Sequence, residues 1–310
     1  MTGHRAGDAF IPLADATATA AQLRDSARLV FDEIAELYDT ARPAYPQALF
    51  DDLVTEHHLD RTADVLEIGC GTGQATGDLA TLAGTVRCLE PGTRLAALAR
   101  GKLARFPNVT IAASTFEAAD VEANSYDVVF SATAFHWVDA TIGYAKAATA
   151  LRPGGWLILA TNAHAHGGTQ HQIDAAVNDL HRRLTPELGE WTFPTEQQIA
   201  ERIEHAGADI AHVWAAVDRC FTAPPDTSAD FEPVIVRRYP WIADYDCDGY
   251  LAMLASQSSY RRLPRREELL AAVGALIDQR LDGRISKSYV TVLAAARRRG
   301  RSATTFSAAG

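Results

Sequence analysis

The segment 63–73, which reads ADVLEIGCGTG, constrains the fold of this chain more than any other stretch. Val65, Leu66 and Ile68 predict a short buried strand, because β-branched and other apolar residues favour that environment. The three glycines that follow predict a turn into a helix, whose bare main-chain N–H groups can approach a ligand closely. The segment therefore predicts a strand–turn–helix unit that binds a ligand.

The residue that ends the next predicted strand indicates what kind of ligand this is. Residues 85–90 read as that strand, and Glu90 follows Gly71 by about 20 residues. In Rossmann-type units a carboxylate at this spacing accepts hydrogen bonds from the hydroxyl groups of a ribose. The glycine turn and Glu90 together therefore indicate a cofactor that contains a nucleoside.

The spacing of the glycines disfavours a dinucleotide. The dinucleotide fingerprint is G-x-G-x-x-G, which lets a pyrophosphate lie against the start of the helix. Gln74 or Thr76 occupies the place of the last glycine here, depending on which glycine is counted first. A P-loop is also excluded, because no Lys-Ser or Lys-Thr pair follows the turn.

Four segments resemble class I S-adenosylmethionine (SAM) methyltransferases. Segment 67–73 is similar to their E/D-x-G-x-G-x-G signature, and SAM has no pyrophosphate that would need the missing glycine. Segment 38–46, YDTARPAYP, resembles the Y-D-x-x-R-P-x-Y-P segment of a small-molecule branch that includes the trans-aconitate methyltransferase-like enzymes. Runs 131–139 and 151–155 resemble two further family motifs. The resemblance implies SAM as the cofactor and a small-molecule acceptor.

The resemblance also implies how the cofactor is held. Arg42 would bind the methionine carboxylate, since a guanidinium fork suits it, and the aromatic face of Tyr38 would cover the sulfonium. Phe116 would cover the adenine. There are two alternatives. The prolines could form a rigid turn against which the tyrosines simply pack, and Phe116 could be an ordinary core residue. The expected cofactor-binding residues are Tyr38, Arg42, Glu67, Gly69, Cys70, Gly71, Gly73, Glu90, Pro91, Thr115, Phe116, Glu117 and Ala132.

His136 is the candidate catalytic residue. It follows the predicted fourth strand, and ligands of open α/β sheets bind beyond the carboxyl ends of the strands. An imidazole there could remove a proton from the acceptor. A carboxylate acceptor would need no base, so His136 could instead orient the substrate or serve a structural role. The expected substrate contacts are Tyr45, His136 and Trp137.

Two further polar groups allow more than one interpretation. His164, His166 and His171 could suggest a metal, but the two glycines among them and the lack of a fourth ligand favour a solvated loop. No metal site is therefore expected. The polar run 256–260 could line the acceptor pocket or form an ordinary helix end.

The rhythm of strands and helices predicts a doubly wound α/β fold. Strand and helix alternate five times between residues 63 and 160, and the strands are nearly continuously apolar. The resemblance extends this to a seven-stranded Rossmann-like sheet with helical insertions that cover the active site. Residues 210–221 and 288–294 are the expected last two strands, and further helices are expected at 173–184, 196–206, 250–255 and 265–280.

The chain divides accordingly into three parts. Residues 1–24 are expected to be a flexible N-terminal segment, and 25–296 form the methyltransferase domain. The insertions fall at about 163–206 and 240–282, and 297–310 form a basic flexible tail.

Composition narrows the possible partners. The net charge of −10 disfavours nucleic acid, whose phosphates need a basic surface. No apolar run approaches the roughly 20 residues of a membrane helix, and no signal peptide is apparent. The four widely spaced cysteines indicate reduced thiols in a cytoplasm. The sequence therefore predicts a cytoplasmic SAM-dependent methyltransferase, with a SAM-binding protein that lacks catalysis, or less favoured a nicotinamide-dependent oxidoreductase, as alternatives. The acceptor and the oligomeric state stay open.

Overall fold

A computed structural model describes residues 31–186, 190, 192–218, 220, 222–261 and 263–300. Its centre is a seven-stranded sheet with the strand order β3-β2-β1-β4-β5-β7-β6. The strands are β1 (Asp64–Ile68), β2 (Thr85–Leu89), β3 (Val109–Ala112), β4 (Tyr126–Ala132), β5 (Leu151–His164), β6 (Ile235–Asp246) and β7 (Arg284–Arg297). The seven-stranded α/β fold predicted from the sequence is confirmed.

The strand directions place a binding crevice at the end of β1. Strands β1 to β5 are parallel, and β7 is antiparallel to both of its neighbours, β5 and β6. Strand β1 pairs with β2 on one side and β4 on the other, so the direction of winding reverses there. Ligands of doubly wound sheets bind beyond the carboxyl ends of the strands at such a reversal.

In the described part of the chain, helices cover both faces of this sheet. They are α1 (Ala35–Ala41), α2 (Gln47–Thr55), α3 (Thr76–Leu82), α4 (Thr93–Leu103), α5 (Ala140–Ala150), α6 (Asp174–Leu184), α7 (Glu196–Ala206), α8 (Ile210–Val217), α9 (Cys247–Ala255), α10 (Ser258–Arg261) and α11 (Arg266–Leu281). Short 3₁₀ turns lie at Phe135–Trp137 and Gln170–Gln172. No helix in these residues is long and apolar enough to cross a membrane.

Two hydrophobic cores form because successive strand side chains point to opposite faces. Val65 and Val128 face the core beneath α2, α3 and α4. Leu66 and Val129 face the core beneath α5, α7 and α8. This alternation explains why the central strands are apolar on both sides, as a sheet covered by helices requires.

A third core holds together helices α6, α9, α10 and α11, which we call the helical cap. Val177, Met253, Tyr260 and Val273 are among its buried members. Ile285 of β7 joins the same cluster, so the cap is attached to the sheet through its last strand. Helix α9 also contacts α1, which brings the cap over the carboxyl edge of the parallel strands.

The strand expected at 210–221 is wrong, because Ile210–Val217 forms helix α8. The carboxylate of Asp209 accepts hydrogen bonds from the N–H groups of Ala211 and His212, which is the geometry of a helix N-cap. The buried residues Ile210, Ala211, Val213 and Trp214 follow helical spacing. A short apolar run fits a strand and a buried helix equally well, and tertiary packing decides between them.

The sixth strand is instead β6, an edge strand that the sequence analysis did not predict. Its residues alternate between exposed and half-buried, so it lacks the apolar signal of the central strands. Pro240 is tolerated in it because an edge strand leaves one row of N–H groups unpaired. Strand β6 extends to Asp246, so the second insertion begins as a helix only at Cys247 and not at about 240.

The C-terminal boundary also differs from the expected one. Strand β7 runs through Arg297, and Arg298 forms a bridge with Phe231. The Arg297 guanidinium donates to the carbonyl of Gly154 at 2.9 Å. Residues 297–300 are therefore anchored to the sheet and are not part of a flexible tail. The expected flexible segments 1–24 and 301–310 lie outside the described residues.

Helix α7 matches its expected bounds, Glu196–Ala206. Thr195 and Gln198 form a reciprocal capping box at its start. Gly207 ends it with a φ of +81°, a backbone conformation that glycine adopts readily.

Candidate functional site

A cavity of about 280 Å³ opens at the carboxyl ends of β1, β2 and β4, where the topology places a ligand. The helical cap and α1 enclose it from the other side. The expected site residues that line it are Tyr38, Arg42, Tyr45, Glu67, Gly69, Cys70, Gly71, Glu90, Pro91, Thr115, Phe116, Ala132, His136 and Trp137. Residues from segment 38–45, from the glycine turn and from the loop after β4 therefore meet in one space.

The glycine turn after β1 has a backbone that other residues rarely adopt. Gly69, Gly71 and Gly73 have φ values of +71°, +57° and +88°. A Cβ atom at Gly69 would overlap the Cβ of Ala134, so the loop after β4 packs directly against this glycine. The turn thus leaves a cradle of main chain that a side chain would fill.

Glu90 closes the other side of this cradle. Its buried carboxylate accepts hydrogen bonds from the N–H of Gly71 at 2.9 Å and the N–H of Gly92 at 2.8 Å. The acid at the end of β2 is thereby held beside the glycine turn, as the sequence spacing predicted. A carboxylate in this position suits the hydroxyl groups of a ribose.

Two of the expected cofactor contacts lie outside the cavity. Gly73 packs against Leu103 of α4, where a Cβ would come within 2.8 Å of a methyl carbon, so it serves the turn and not the ligand surface. Glu117 accepts a hydrogen bond from the N–H of Asp139 at 3.0 Å. Its carboxylate thus holds the start of α5, and Glu117 is not among the residues that line the cavity, so its role as a cofactor contact stays a prediction.

The far end of the cavity holds a group of buried polar side chains. Glu67 is buried on β1, and this burial raises the pKa of its carboxyl to about 7. Arg42 Nε and Gln74 Nε2 are buried and have no hydrogen-bond partner among the described residues. The Arg42 guanidinium lies 5.2 Å from the centre of the Tyr38 ring, and its Nη2 donates to the carbonyl of Ser256. Two unpaired donors and one carboxyl can therefore receive a zwitterion.

Aromatic side chains form the wall between this end and His136. The ring of Phe31 meets the rings of Tyr38 and Trp137 edge to face, each with centroids 5.6 Å apart. The Tyr45 hydroxyl shares a hydrogen bond of 2.8 Å with the Thr133 hydroxyl. Phe116 is buried in the sheet core and also lines the opposite end of the cavity, so both of its proposed roles agree with its position.

His136 is paired with an acid that the sequence did not indicate. Its Nδ1 lies 3.0 Å from Oδ2 of Asp218, and the two side chains are only 12% and 14% exposed. His136 stands in the 3₁₀ turn after β4, whereas Asp218 follows the last residue of α8. Because residues 210–221 were expected to be a strand, no local pattern pointed to this pair.

His164 is a second cavity residue whose environment was predicted wrongly. It ends β5, lines the cavity and stacks on Phe193 with ring centroids 5.7 Å apart, so it is not in a solvated loop. Burial, followed by the charges of Lys287 and Arg42, holds the pKa of His164 well below its ordinary value. Its position at the carboxyl end of a parallel strand was the available signal.

The other two histidines of this group do not join His164 in the cavity. His166 is half exposed, with its Nδ1 3.9 Å from a carboxylate oxygen of Asp174 and its ring 5.6 Å from the ring of His171. No group of three or more potential metal ligands occurs among the described residues.

The cap contributes three polar residues to the cavity, Gln257, Ser258 and Ser259. Ser258 and Ser259 belong to the run that could have been an ordinary helix end. Ser256 takes part through its carbonyl only, and Tyr260 is buried against His181 within the cap. The cap therefore forms one wall of the site.

Comparisons with known proteins agree with this geometry. A family model described as a methyltransferase domain matches residues 66–159. An uncharacterised methyltransferase of Mycobacterium tuberculosis is 32% identical over 134 residues, which are 43% of this chain and 52% of that protein. The trans-aconitate 2-methyltransferase of Deinococcus radiodurans is 29% identical over 125 residues, 39% of this chain and 46% of that protein. The chain spans about half the length of these relatives.

Among solved structures, an Anaeromyxobacter dehalogenans protein described as a type II methyltransferase has a TM-score of 0.53 and 23% sequence identity. The likeness covers 83% of this chain and 97% of that chain, and it concerns the fold. The sheet and its crevice define a doubly wound α/β protein with a cavity suited to a nucleoside-type ligand. Residues 66–159 are similar to a methyltransferase domain, and the sheet that contains them is Rossmann-like.

Proposed function

We propose that the protein is a SAM-dependent methyltransferase that acts on a small molecule. The observation that carries this proposal is one cavity that joins the glycine cradle and Glu90 to His136. A binding protein needs only the first part of this arrangement. A paired histidine beside the cofactor crevice is the additional feature that favours chemistry.

The methionine end of SAM suits the polar end of the cavity. Arg42 and Gln74 offer their unpaired buried donors to the carboxylate, and the carboxyl group of Glu67 is placed to accept the ammonium. Tyr38 adds an aromatic face to which a sulfonium is attracted. Gln74 stands where a dinucleotide fingerprint would have a glycine, and here its side chain would bind the methionine carboxylate.

The nucleoside end suits the cradle and its neighbours. Glu90 accepts from ribose hydroxyls, and the main chain at Gly69 and Gly71 lets the ligand approach closely. Pro91, Thr115 and Phe116 line the space in which the adenine would lie. These residues bind and orient; the bound cofactor supplies an electrophilic methyl group.

The acceptor side is formed by His136, Trp137 and the polar residues of the cap. Gln257, Ser258 and Ser259 line this side, and the Tyr45 hydroxyl holds the loop after β4 through its hydrogen bond to Thr133. Methyl transfer is an in-line displacement, and correct placement of the acceptor can supply about 7–11 kcal/mol of the barrier. The cavity of about 280 Å³ is shared with the cofactor, which favours a small acceptor.

Methyl transfer from labelled SAM to a small-metabolite extract tests this function. We expect a labelled product with the wild-type protein. His136→Ala is expected to keep SAM affinity within about twofold while it lowers turnover about 10²–10⁴-fold, the usual contribution of a general base.

His205→Ala on the exposed side of α7 is the matched control and should behave as wild type. Bound SAM without any labelled product would favour a binding protein that lacks catalysis. Equal turnover in His136→Ala would remove His136 from the mechanism.

A further inference from the structure

His136 and Asp218 form a buried pair whose geometry specifies which ring nitrogen meets the substrate. The 3.0 Å contact joins Asp218 Oδ2 to Nδ1 of His136. A carboxylate accepts hydrogen bonds, so Nδ1 is the nitrogen that carries the proton in the neutral imidazole. The lone pair then lies on Nε2. Both residues line the cavity, and His136 can present this lone pair to an acceptor.

The pair is held by two separate parts of the fold. The turn Phe135–Trp137 packs Phe135 against Tyr144 of α5, with ring centroids 5.0 Å apart. Asp218 follows α8, which is buried in the same core. The residues next to His136 and Asp218 are thus anchored in the core, which holds the two side chains in a defined position beside the cavity.

The other titratable groups near the pair are poor proton acceptors, so His136 is the group that can accept a proton there. Burial, then the charge of Asp218, raises the pKa of the Cys220 thiol to about 12. Burial also raises the pKa of the Tyr144 and Tyr45 hydroxyls. These three groups are neutral near neutral pH. The charged or titratable residues that share the cavity more distantly are Tyr38, Arg42, Glu67, Cys70, Glu90 and His164.

We propose that Asp218 is a positioning residue for His136 and that the acceptor is a hydroxyl group of an alcohol, a phenol or an enol. This inference rests on the methyl transfer proposed above. The hydroxyl proton moves to Nε2, while an oxygen lone pair forms the new O–CH₃ bond. The S–CH₃ bond breaks, and its electron pair stays on sulfur, which becomes a neutral thioether. Asp218 stabilises the imidazolium that results.

Compared with a carboxylate or an amine, a hydroxyl group gains the most from the His136 base. A carboxylate is already ionised at neutral pH and has no proton for Nε2 to take. A neutral amine has a lone pair that can attack before its proton leaves. A hydroxyl group is a weak nucleophile until a base removes its proton, and a histidine oriented by a carboxylate provides that base.

The tautomer of His136 tests the positioning role without any acceptor. Histidine ¹⁵N NMR of the complex with S-adenosylhomocysteine measures which ring nitrogen carries the proton. The experiment is run at about pH 8.5, which is above the usual titration range of histidine. We expect the proton on Nδ1 in the wild-type protein and a shift towards Nε2 in Asp218→Ala. Asp218→Asn, whose amide oxygen can still accept, should retain the Nδ1 tautomer in part. The exposed Asp244→Ala is the control and should leave the signal unchanged.

Two results of this measurement would overturn the positioning role. One is a proton on Nε2 in the wild-type protein. The other is the same tautomer in the wild-type protein and in Asp218→Ala. Both can be observed whether or not methyl transfer occurs, so they do not depend on the proposed function.

The stability of the labelled product tests the acceptor class. A methyl ether keeps its label in mild alkali, whereas a methyl ester releases labelled methanol. We expect an alkali-stable label that is not retained on a cation exchanger, and a rate lowered at least tenfold in Asp218→Asn at unchanged SAM KM. Labelled methanol would indicate a carboxylate acceptor, and a retained cation an amine; either would overturn the hydroxyl assignment. If no labelled product forms, methyl transfer and the hydroxyl assignment both fail, and the tautomer alone decides the role of Asp218.

Discussion

At the scale of single residues, the glycine cradle is the most sharply constrained part of the site. Gly69 combines a φ of +71° with direct contact to Ala134, so a side chain there meets both strain and overlap. The carboxylate of Glu90 accepts a hydrogen bond from the N–H of Gly71. The backbone of β1 and the acid of β2 therefore form one binding unit.

Gly69→Ala should destabilise the protein and abolish cofactor binding. Backbone strain of this kind costs about 1–3 kcal/mol, and displacement of Ala134 adds to it. Urea unfolding measures the loss of stability, and titration with S-adenosylhomocysteine measures the loss of affinity.

Gly101→Ala is the matched control for that substitution. Gly101 lies in α4 with open space around its Cα, so alanine should stabilise the helix by about 0.5–1 kcal/mol. Wild-type stability and affinity in Gly69→Ala would show that the turn does not need glycine there.

The raised pKa of Glu67 gives the site a pH dependence. Its carboxyl has a pKa of about 7 because it is buried, and only the ionised form attracts an ammonium. We therefore expect the affinity for S-adenosylhomocysteine to increase about tenfold from pH 6 to pH 8.

Glu67→Gln should remove this pH dependence, while the exposed Glu122→Gln should keep it. Isothermal titration calorimetry at the two pH values measures both. An affinity that is flat with pH in the wild-type protein, or that keeps its slope in Glu67→Gln, would mean that Glu67 does not face the ammonium.

Contacts between distant parts of the chain cannot be predicted from local sequence patterns, and this limits what the sequence reveals about the site. Gly69, Gly71 and Glu90 were predictable, because their spacing is local and has a physical reason. Asp218 reaches His136 from 82 positions away. No short motif encodes such a contact, since it depends on how α8 packs.

At the scale of elements, the strands β1 to β5 were predicted well and the exposed strand β6 was not. The central strands β1 and β4 are apolar on both faces because helices cover both faces, and this pattern is visible in the sequence. Strand β6 is partly exposed along its whole length and mixes apolar with charged residues, so no continuous apolar run marks it. Helix α8 was mistaken for a strand because its eight residues are almost all apolar.

The junction of β7 with the cap contains a buried amine, that of Lys287. Its Nζ donates to Oε1 of Gln170 at 2.7 Å and lies 3.8 Å from the centre of the Phe193 ring. Burial lowers the pKa of Lys287 to about 7. In the unfolded chain a lysine titrates near pH ~10.4, so the unfolded state binds more protons between these two values.

The free energy of unfolding should therefore rise with pH between about 7 and 10. This rise should be absent in Lys287→Met. The gain in unfolding free energy from Lys287→Met is expected to be largest below pH 7. It should shrink by up to about 1.4 kcal/mol per pH unit above that.

Urea unfolding of both proteins across this range measures the difference, with the exposed Lys102→Met as the control. A difference that does not change with pH would show that Lys287 remains charged in the folded protein.

At the scale of the whole molecule, the site depends on the union of the sheet with the cap. The crevice belongs to the doubly wound sheet, and its topology was predictable from the strand–helix rhythm. The wall formed by Gln257, Ser258 and Ser259 depends on how the cap folds over α1. Under the proposed function, the cofactor is therefore bound by the part that matches the methyltransferase domain together with Tyr38 and Arg42, and the cap adds one wall to the acceptor side.

Titration with S-adenosylhomocysteine and NADH in parallel tests the cofactor most directly. We expect micromolar or tighter binding of S-adenosylhomocysteine, no binding of NADH, and at least a tenfold loss of affinity in Glu90→Ala. The exposed Glu122→Ala should bind as the wild-type protein does. Tight binding of NADH with none of S-adenosylhomocysteine, or full affinity in Glu90→Ala, would contradict a SAM site between β1 and β2.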